Sequence, residues 1–332
     1  MLNINIILIS MKRYNHLYEN ICKYENIESA FLEVRKNTRN KRRVFNMKQH
    51  KSYYIASVYN IVIHEKYIVG EYIKFVIKEP KERVIVSQNI IDKIVNHLVA
   101  RFILYPALLP CLLDVNVASR KQLGTSAGIN IFKNYKRVCD VKYGKYYILK
   151  CDISKFFASI NHEILKEKLK RKIKDTKALK IVFDIIDSNS PGLFIGSMTS
   201  QILAIFYLND LDHYIKEVLK INYYVRYQDD FMLFHPSKEY LTHCLKQISK
   251  FLEKEKLTLN DKTRIYKSSD NFTFLGRNKK YRYIRYRNVK RKLKYRHYHY
   301  KQSNISLSEF VASVNCYVDL IKKKPSELIN PD

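Results

Sequence analysis

Residues 223–234 read YYVRYQDDFMLF and place two adjacent carboxylates, Asp229 and Asp230, inside an apolar and aromatic run. An ionised carboxylate in such a setting is costly unless it is paired, hydrogen-bonded or bound to a metal. Two neighbouring ones also repel each other. A third, Asp152, ends the apolar run YYILKCD at 146–152. Taken singly, Asp152 suits a strand-ending turn and the pair suits an exposed hairpin tip. Taken together they are three carboxylates at strand ends in a basic chain. That set suits Mg²⁺, a hard ion that prefers carboxylate oxygens plus substrate phosphates. Two such ions about 3.5–4 Å apart can clamp the attacking and leaving oxygens of an in-line phosphoryl displacement. Divalent charge is then what makes the carboxylates tolerable.

The elements that must position these residues are legible as patterns. Tyr223–Tyr227 and Phe231–Phe234 are short β-type runs flanking Gln228-Asp229-Asp230, which predicts a hairpin with the carboxylates at its tip. Residues 146–153 read as a strand, and Asn161 as the N-cap of a helix to about 174. Helical spacing predicts further helices over 15–38, 88–113, 199–220 and 238–256. Residues 53–86 mix helix-like and strand-like pieces and end in a basic β-rich stretch. Ser306 with Glu309 reads as a capping box opening a final helix. The expected fold is α+β: an antiparallel sheet backed by helices, then a short basic, partly helical lobe.

Bulk composition narrows the function classes. The chain has 332 residues, 46% hydrophobic, enough for a sizeable core in two or three lobes. Lys and Arg number 61 against 31 Asp and Glu, a net charge of +30 that recruits polyanions, nucleic acid first. A membrane partner is not expected, since no apolar run approaches the ~20 residues that span a bilayer. The six cysteines form no CxxC pair and no zinc spacing, which fits free thiols in a reducing cytoplasm. The opening MLNINIILIS is a poor signal peptide. Met11 begins a stretch that reads like a domain start, so residues 1–14 are expected to be an extension.

YQDD at 227–230, inside its apolar hairpin, resembles the YxDD box of reverse transcriptases. DISKFFASINHEIL (152–165) resembles their first catalytic motif, and GLFIGSMTSQILAIFYLNDLDHYI (192–215) their template- and nucleotide-contacting motif. NDKTRIY (260–266), FTFLG (272–276), KEPKERVIV (78–86) and DVNVASRKQLGTSAGI (114–129) resemble further blocks in the expected order. The resemblance covers roughly residues 15–280 and implies a right-hand polymerase: fingers over 15–145, palm over 146–276 with part of the fingers, and a basic thumb over 277–332. It implies an RNA-directed DNA polymerase working on template RNA, a cDNA primer and dNTPs, with two Mg²⁺ ions or Mn²⁺ in their place.

Roles follow residue by residue. Asp152 and Asp229 are the implied principal metal ligands, with Asp230 beside them and the Ile153 carbonyl completing a site. Phe157 would lie under the incoming sugar and exclude a 2′-hydroxyl. Lys81 and Arg83, and less directly Arg120, would hold the triphosphate through charge-assisted contacts. Ile195, Gly196, Ser200, Gln201 and Tyr227 would line the nucleotide and template. Lys262 would protonate the leaving pyrophosphate or merely cap a strand. Phe274-Leu275-Gly276 would grip the primer. From Arg277 to Lys301 the chain has 12 Lys and Arg, six Tyr and no acid, a composition suited to phosphates and to stacking.

The subtype rests on Ile195-Gly196-Ser197-Met198-Thr199-Ser200-Gln201, where many reverse transcriptases have Gln-Gly-x-x-x-Ser-Pro. This IGxxxSQ form is similar to that of diversity-generating retroelement enzymes, which misincorporate opposite template adenines, and which would bring a small accessory protein. A phage-defence enzyme with its own structured noncoding RNA is the alternative. A catalytically dead binder on the same fold is a second, which the intact carboxylates argue against.

Overall fold

A computed structural model describes residues 13–77, 83–120, 123–188, 190–278, 285–315 and 317. The described residues fall into two compact units, one from the segments Met1–Phe75 and Ile85–Ile265, the other from Val76–Val84 and Tyr266–Asp332.

The first unit opens with helices α1 (Tyr18–Ile21), α2 (Tyr24–Asn37), α3 (Lys41–Gln49) and α4 (Lys51–Ile63). The single helix expected over 15–38 is thus two, parted at Cys22 and Lys23, where Lys23 turns to extended backbone. Strands β1 (Ile73–Ile77) and β2 (Arg83–Ser87) form a two-stranded sheet. Helix α5 (Ile90–Val99) runs through a wider turn at 100–104 into α6 (Tyr105–Leu108). The 22-residue helical run Ile90–Cys111 is long and apolar enough to cross a membrane, which corrects the expectation that no apolar run reaches that length. In this fold it is a core helix: Ile94, Val95, Leu98, Val99, Ile103 and Leu104 are fully buried among other side chains.

The chain continues through α7 (Thr125–Tyr143), strand β3 (Tyr147–Asp152), α8 (Phe156–Ser159), α9 (His162–Lys170) and α10 (Thr176–Asp187). Asn161 caps α9 as expected, its side chain accepting from the Ile164 N–H at 3.1 Å. Helix α11 (Met198–Tyr207) stops at Leu208, and α12 (Asn209–His213) follows. The long helix expected from 199 to 220 is therefore broken. Apolar periodicity runs across the break, so spacing alone conceals it.

Strands β4 (Tyr223–Tyr227) and β5 (Asp230–His235), helix α13 (Lys238–Lys254) and strand β6 (Arg264–Lys267) complete the sheet, ordered β4-β5-β3-β6. β5 runs antiparallel to both neighbours, with Ile148 opposite Phe234 and Tyr224 opposite Leu233. Ile148, Leu149, Cys151, Tyr224, Val225, Phe231, Met232 and Leu233 are fully buried. Burial on both faces explains why these strands read as continuous apolar runs rather than alternating ones.

The second unit holds the hairpin of β7 (Thr273–Phe274) with β8 (Arg277–Asn278), then helices α14 (Arg285–Lys301) and α15 (Leu307–Asn315). The capping box forms as read: Glu309 N–H donates to Ser306 Oγ at 3.3 Å, and Ser306 N–H to Glu309 Oε2 at 3.1 Å. Tyr300 stacks on Phe310 at 5.3 Å, joining the two helices.

Candidate active site

The β4–β5 hairpin turns through Gln228 and Asp229, with Tyr227 paired to Asp230. Gln228 adopts a left-handed φ of 56°, which a two-residue hairpin turn needs at its first position to match strand twist. Asp230 opens β5 and stands directly opposite Asp152 at the end of β3. Facing residues on antiparallel strands bring their Cβ atoms within about 4.5–5.5 Å. Three strand ends thus bring Asp152, Asp229 and Asp230 together.

Two like charges in that register are destabilising, and the site shows it. Burial pushes the Asp230 carboxyl up to about 7; Lys150 opposes the rise, and Asp152 and Asp229 add to it. Lys150 Nζ lies 3.6 Å from Asp230 Oδ2. Asp230 Oδ1 is buried with no hydrogen-bond partner among the described residues, and Gln228 Oε1 likewise. An orphaned carboxylate oxygen flanked by two further carboxylates is a hard-oxygen donor set that fits Mg²⁺ or Mn²⁺. Among the described residues no group of three His, Cys, Asp or Glu side chains stands as a metal site, so the carboxylates here offer the right donor type rather than a formed site.

The strand end carrying Asp152 is stitched to the turn before β6. The Asp152 carbonyl accepts from Asn260 N–H at 2.7 Å, and Ser154 N–H donates to the Thr258 carbonyl at 2.9 Å. Ile153 pairs with Leu259 in an isolated bridge and buries its side chain. Lys262 lies in that same turn, exposed, its N–H held by Asn260 Oδ1 at 3.0 Å.

Downstream of Asp152, Phe157 is half-buried against Phe156 at 5.7 Å. Its carbonyl accepts from Leu193 N–H at 2.7 Å. Gly192, at φ 76°, packs so closely that a Cβ there would fall 2.4 Å from the same carbonyl. The glycine therefore seats the Phe157 backbone, a role that nothing in the residue spacing suggests. Gly196 acts in the same way on a second loop, for at φ 127° a Cβ would meet the Val86 carbonyl at 2.9 Å. Val86 N–H donates to the Ile195 carbonyl at 3.2 Å, so this loop docks on strand β2. Arg83 begins that strand, exposed, while Lys81 lies outside the described residues.

The remaining expected contacts divide. Gln201 is exposed and accepts from Ser119 Oγ at 3.5 Å, and Ser119 Oγ accepts from Gln228 Nε2 at 2.8 Å. A polar chain therefore links the nucleotide-contacting motif to the YQDD turn through Ser119, a residue that no motif singles out. Tyr227 is half-buried, and its hydroxyl accepts from Thr125 Oγ1 at 3.4 Å. Ser200 is 2% exposed and faces the core. Arg120 is turned inward, donating to the Leu113 and Asn116 carbonyls at 3.0 and 3.2 Å and pairing with Asp114 at 3.3 Å; here it braces its own loop. In the second unit Phe274 is buried and anchors a turn in which Leu275 and Gly276 take left-handed φ of 49° and 76°.

Beneath the turn lies a fully buried ion pair, Arg226 with Asp212. Arg226 Nε donates to Asp212 Oδ1 at 2.7 Å, and the Tyr224 hydroxyl donates to the same oxygen at 2.6 Å. No spacing in the sequence marks this pair, because its partners are joined only by the tertiary fold.

A family model described as "Reverse transcriptase (RNA-dependent DNA polymerase)" matches residues 76–279, more than half of the chain. No curated protein matches its sequence. Similar solved structures include telomerase from Candida albicans in complex with a TWJ fragment of telomeric RNA, at 15% identity and TM-score 0.48, covering 71% of this chain and 48% of that one. Apo telomerase from Candida Tropicalis truncated from its C-terminal domain gives 17% identity and TM-score 0.47, covering 69% and 58%. The chain spans about half the length of these telomerases, between 48% and 58%.

Proposed function

The chain belongs to the reverse transcriptase family, and from that premise we propose that it is an RNA-directed DNA polymerase, a nucleotidyltransferase extending a cDNA primer along template RNA. The observation that carries this reading is the cross-strand meeting of Asp152 with Asp230, with Asp229 in the adjoining turn. Asp152, Asp229 and Asp230 would hold the divalent ions, and the Ile153 carbonyl, next along the same strand end, would add a further oxygen. When bound, Mg²⁺ or Mn²⁺ supplies the positive charge for an in-line phosphoryl displacement.

The protein's own groups then orient and select. Phe157, its backbone fixed by Gly192, places a ring where a 2′-hydroxyl would fall. Arg83 on β2 and Lys81 beyond it supply cations for the triphosphate. Lys262, exposed in the turn stitched to the Asp152 strand end, would deliver a proton to the leaving group. The Phe274–Gly276 turn and the basic, tyrosine-rich α14 suit the primer end and the phosphate backbones.

Ile195 and Gly196 carry the finer reading, a diversity-generating retroelement enzyme working with a small accessory protein in the cytoplasm. An aliphatic side chain replaces an amide at Ile195, which removes a polar contact near the nucleotide and loosens base selection. Primer extension on an RNA template with Mg²⁺ or Mn²⁺ tests both levels. The polymerase reading requires dNTP incorporation that Asp229→Ala abolishes; equal failure of both proteins, with RNA binding intact, ends it. Misincorporation concentrated opposite template adenine supports the retroelement assignment, and an even error spectrum rejects it.

A further inference from the structure

Arg226 is 0% exposed, and so is Asp212. Burying an ion pair rarely adds stability, because the desolvation cost offsets the attraction; replacing such a pair by well-packed apolar residues is often neutral or stabilising. Its presence directly under the YQDD turn therefore calls for another reason, and the contacts supply one.

The guanidinium reaches three elements. Its Nε and Nη2 grip Asp212 on α12. Nη2 also donates to the Ile205 carbonyl at 3.1 Å, one of the unpaired carbonyls at the end of α11. Nη1 donates to the Gln228 carbonyl at 3.0 Å, the peptide that leads into Asp229. Arg226's own backbone is clamped as well, its N–H on the Val115 carbonyl at 2.9 Å and its carbonyl accepting from Val117 N–H at 3.1 Å. Gln228 sits in left-handed backbone. A non-glycine residue there is strained and persists only where its surroundings hold it.

We infer that Arg226 is a positioning residue: through the Gln228 carbonyl it sets the peptide that aims Asp229, and Asp212 holds Arg226 in the required orientation. The end of α11, the helix that carries Ser200 and Gln201, is tied to the same guanidinium. The catalytic turn and the nucleotide-contacting helix are thus held in one register by a single side chain. This inference rests on the polymerase reading, and its test separates the two.

The full-length chain is compared with R226M, R226K and the apolar double variant R226M/D212L. R226M leaves Asp212 buried without its counter-charge, held only by the Tyr224 hydroxyl, so a large loss of Tm is expected. The double variant removes both charges, leaves only the Tyr224 hydroxyl and the Ile205 and Gln228 carbonyls without these partners, and should melt well above R226M. Its kcat should still fall about 100-fold, the scale of a catalytic group displaced by about 1 Å, with KM for dNTP within about 3-fold. Without substrate, Mn²⁺ affinity read by electron paramagnetic resonance should weaken several-fold in the same variant. R226K keeps one charge but lacks the planar fork, so it should recover Tm without recovering kcat. A double variant with wild-type kcat and Mn²⁺ affinity overturns the inference, as does one that fails to fold, since the pair would then be holding the fold. If the wild type makes no DNA, the polymerase reading fails, while the Mn²⁺ comparison still decides the positioning role. Absence of Mn²⁺ binding by a wild type that makes DNA overturns the positioning role and leaves the polymerase reading standing.

Discussion

At the scale of single residues, Asp230 concentrates the tension of the site. Its carboxyl stands near 7 in the fold against 3.8 for the ordinary group. The folded state therefore binds more protons than the unfolded one between those values, and stability falls as pH rises through that window. Asp230→Asn should remove this penalty. In chelator, the variant should melt above the wild type at pH 7.5 by at least ~1 kcal/mol, with the gap closing towards pH 4. The same change should abolish primer extension, and scanning calorimetry beside activity assays checks both halves. Gly192→Ala tests the opposite kind of position. The left-handed φ and the 2.4 Å approach to the Phe157 carbonyl leave no room for a methyl group. A loss of more than ~2 kcal/mol in denaturant unfolding is expected, by the mechanism of strain at a special backbone position.

At the scale of elements, helix ends and strand registers decide whether the site forms. Asn161 starts α9 just after the segment that carries Phe157, and Asn161→Ala should cost about 1 kcal/mol, seen as a Tm lower by about 2–4 °C. Lys168 on α9 is 3% exposed, donates to the Tyr207 carbonyl at 2.8 Å and pairs with Asp210 at 3.1 Å, so α9 is bolted to the break between α11 and α12. That break turns the chain so that Asp212 meets Arg226. The hairpin was legible in advance, because apolar runs flank a polar tip; its register was not, since Asp230, read as part of the tip, opens β5 opposite Tyr227 and leaves only Gln228 and Asp229 in the turn. The break at Leu208 was not, because its apolar residues continue the helical period of α11.

At the scale of the whole molecule, charge outweighs every other property. A net of +30 makes non-specific attraction to nucleic acid strong and salt-sensitive. If the bound RNA meets 6–10 phosphate contacts, affinity should fall by about 10³–10⁵ between 50 and 200 mM salt, as a straight line in log–log form. Filter binding over a salt series measures it, and a flat response would leave the excess of cations without a ligand.

The residue order by itself determined the chemistry's ingredients: three carboxylates at strand ends, a hairpin to carry two of them, and a basic chain around them. These were readable because each depends on local spacing or on total charge. It also determined the caps at Asn161 and Ser306, which are made by neighbours three residues apart. The tertiary structure alone decided which groups meet across the fold. It put Asp152 opposite Asp230, turned Arg120 inward onto its own loop, buried Ser200, and assigned Gly192 and Gly196 to close backbone approaches. It also ran a buried charge from Asp212 through Arg226 to the turn. Such contacts join positions far apart in the chain, and no local period records them. They arise when the core closes and each buried polar group must find a partner.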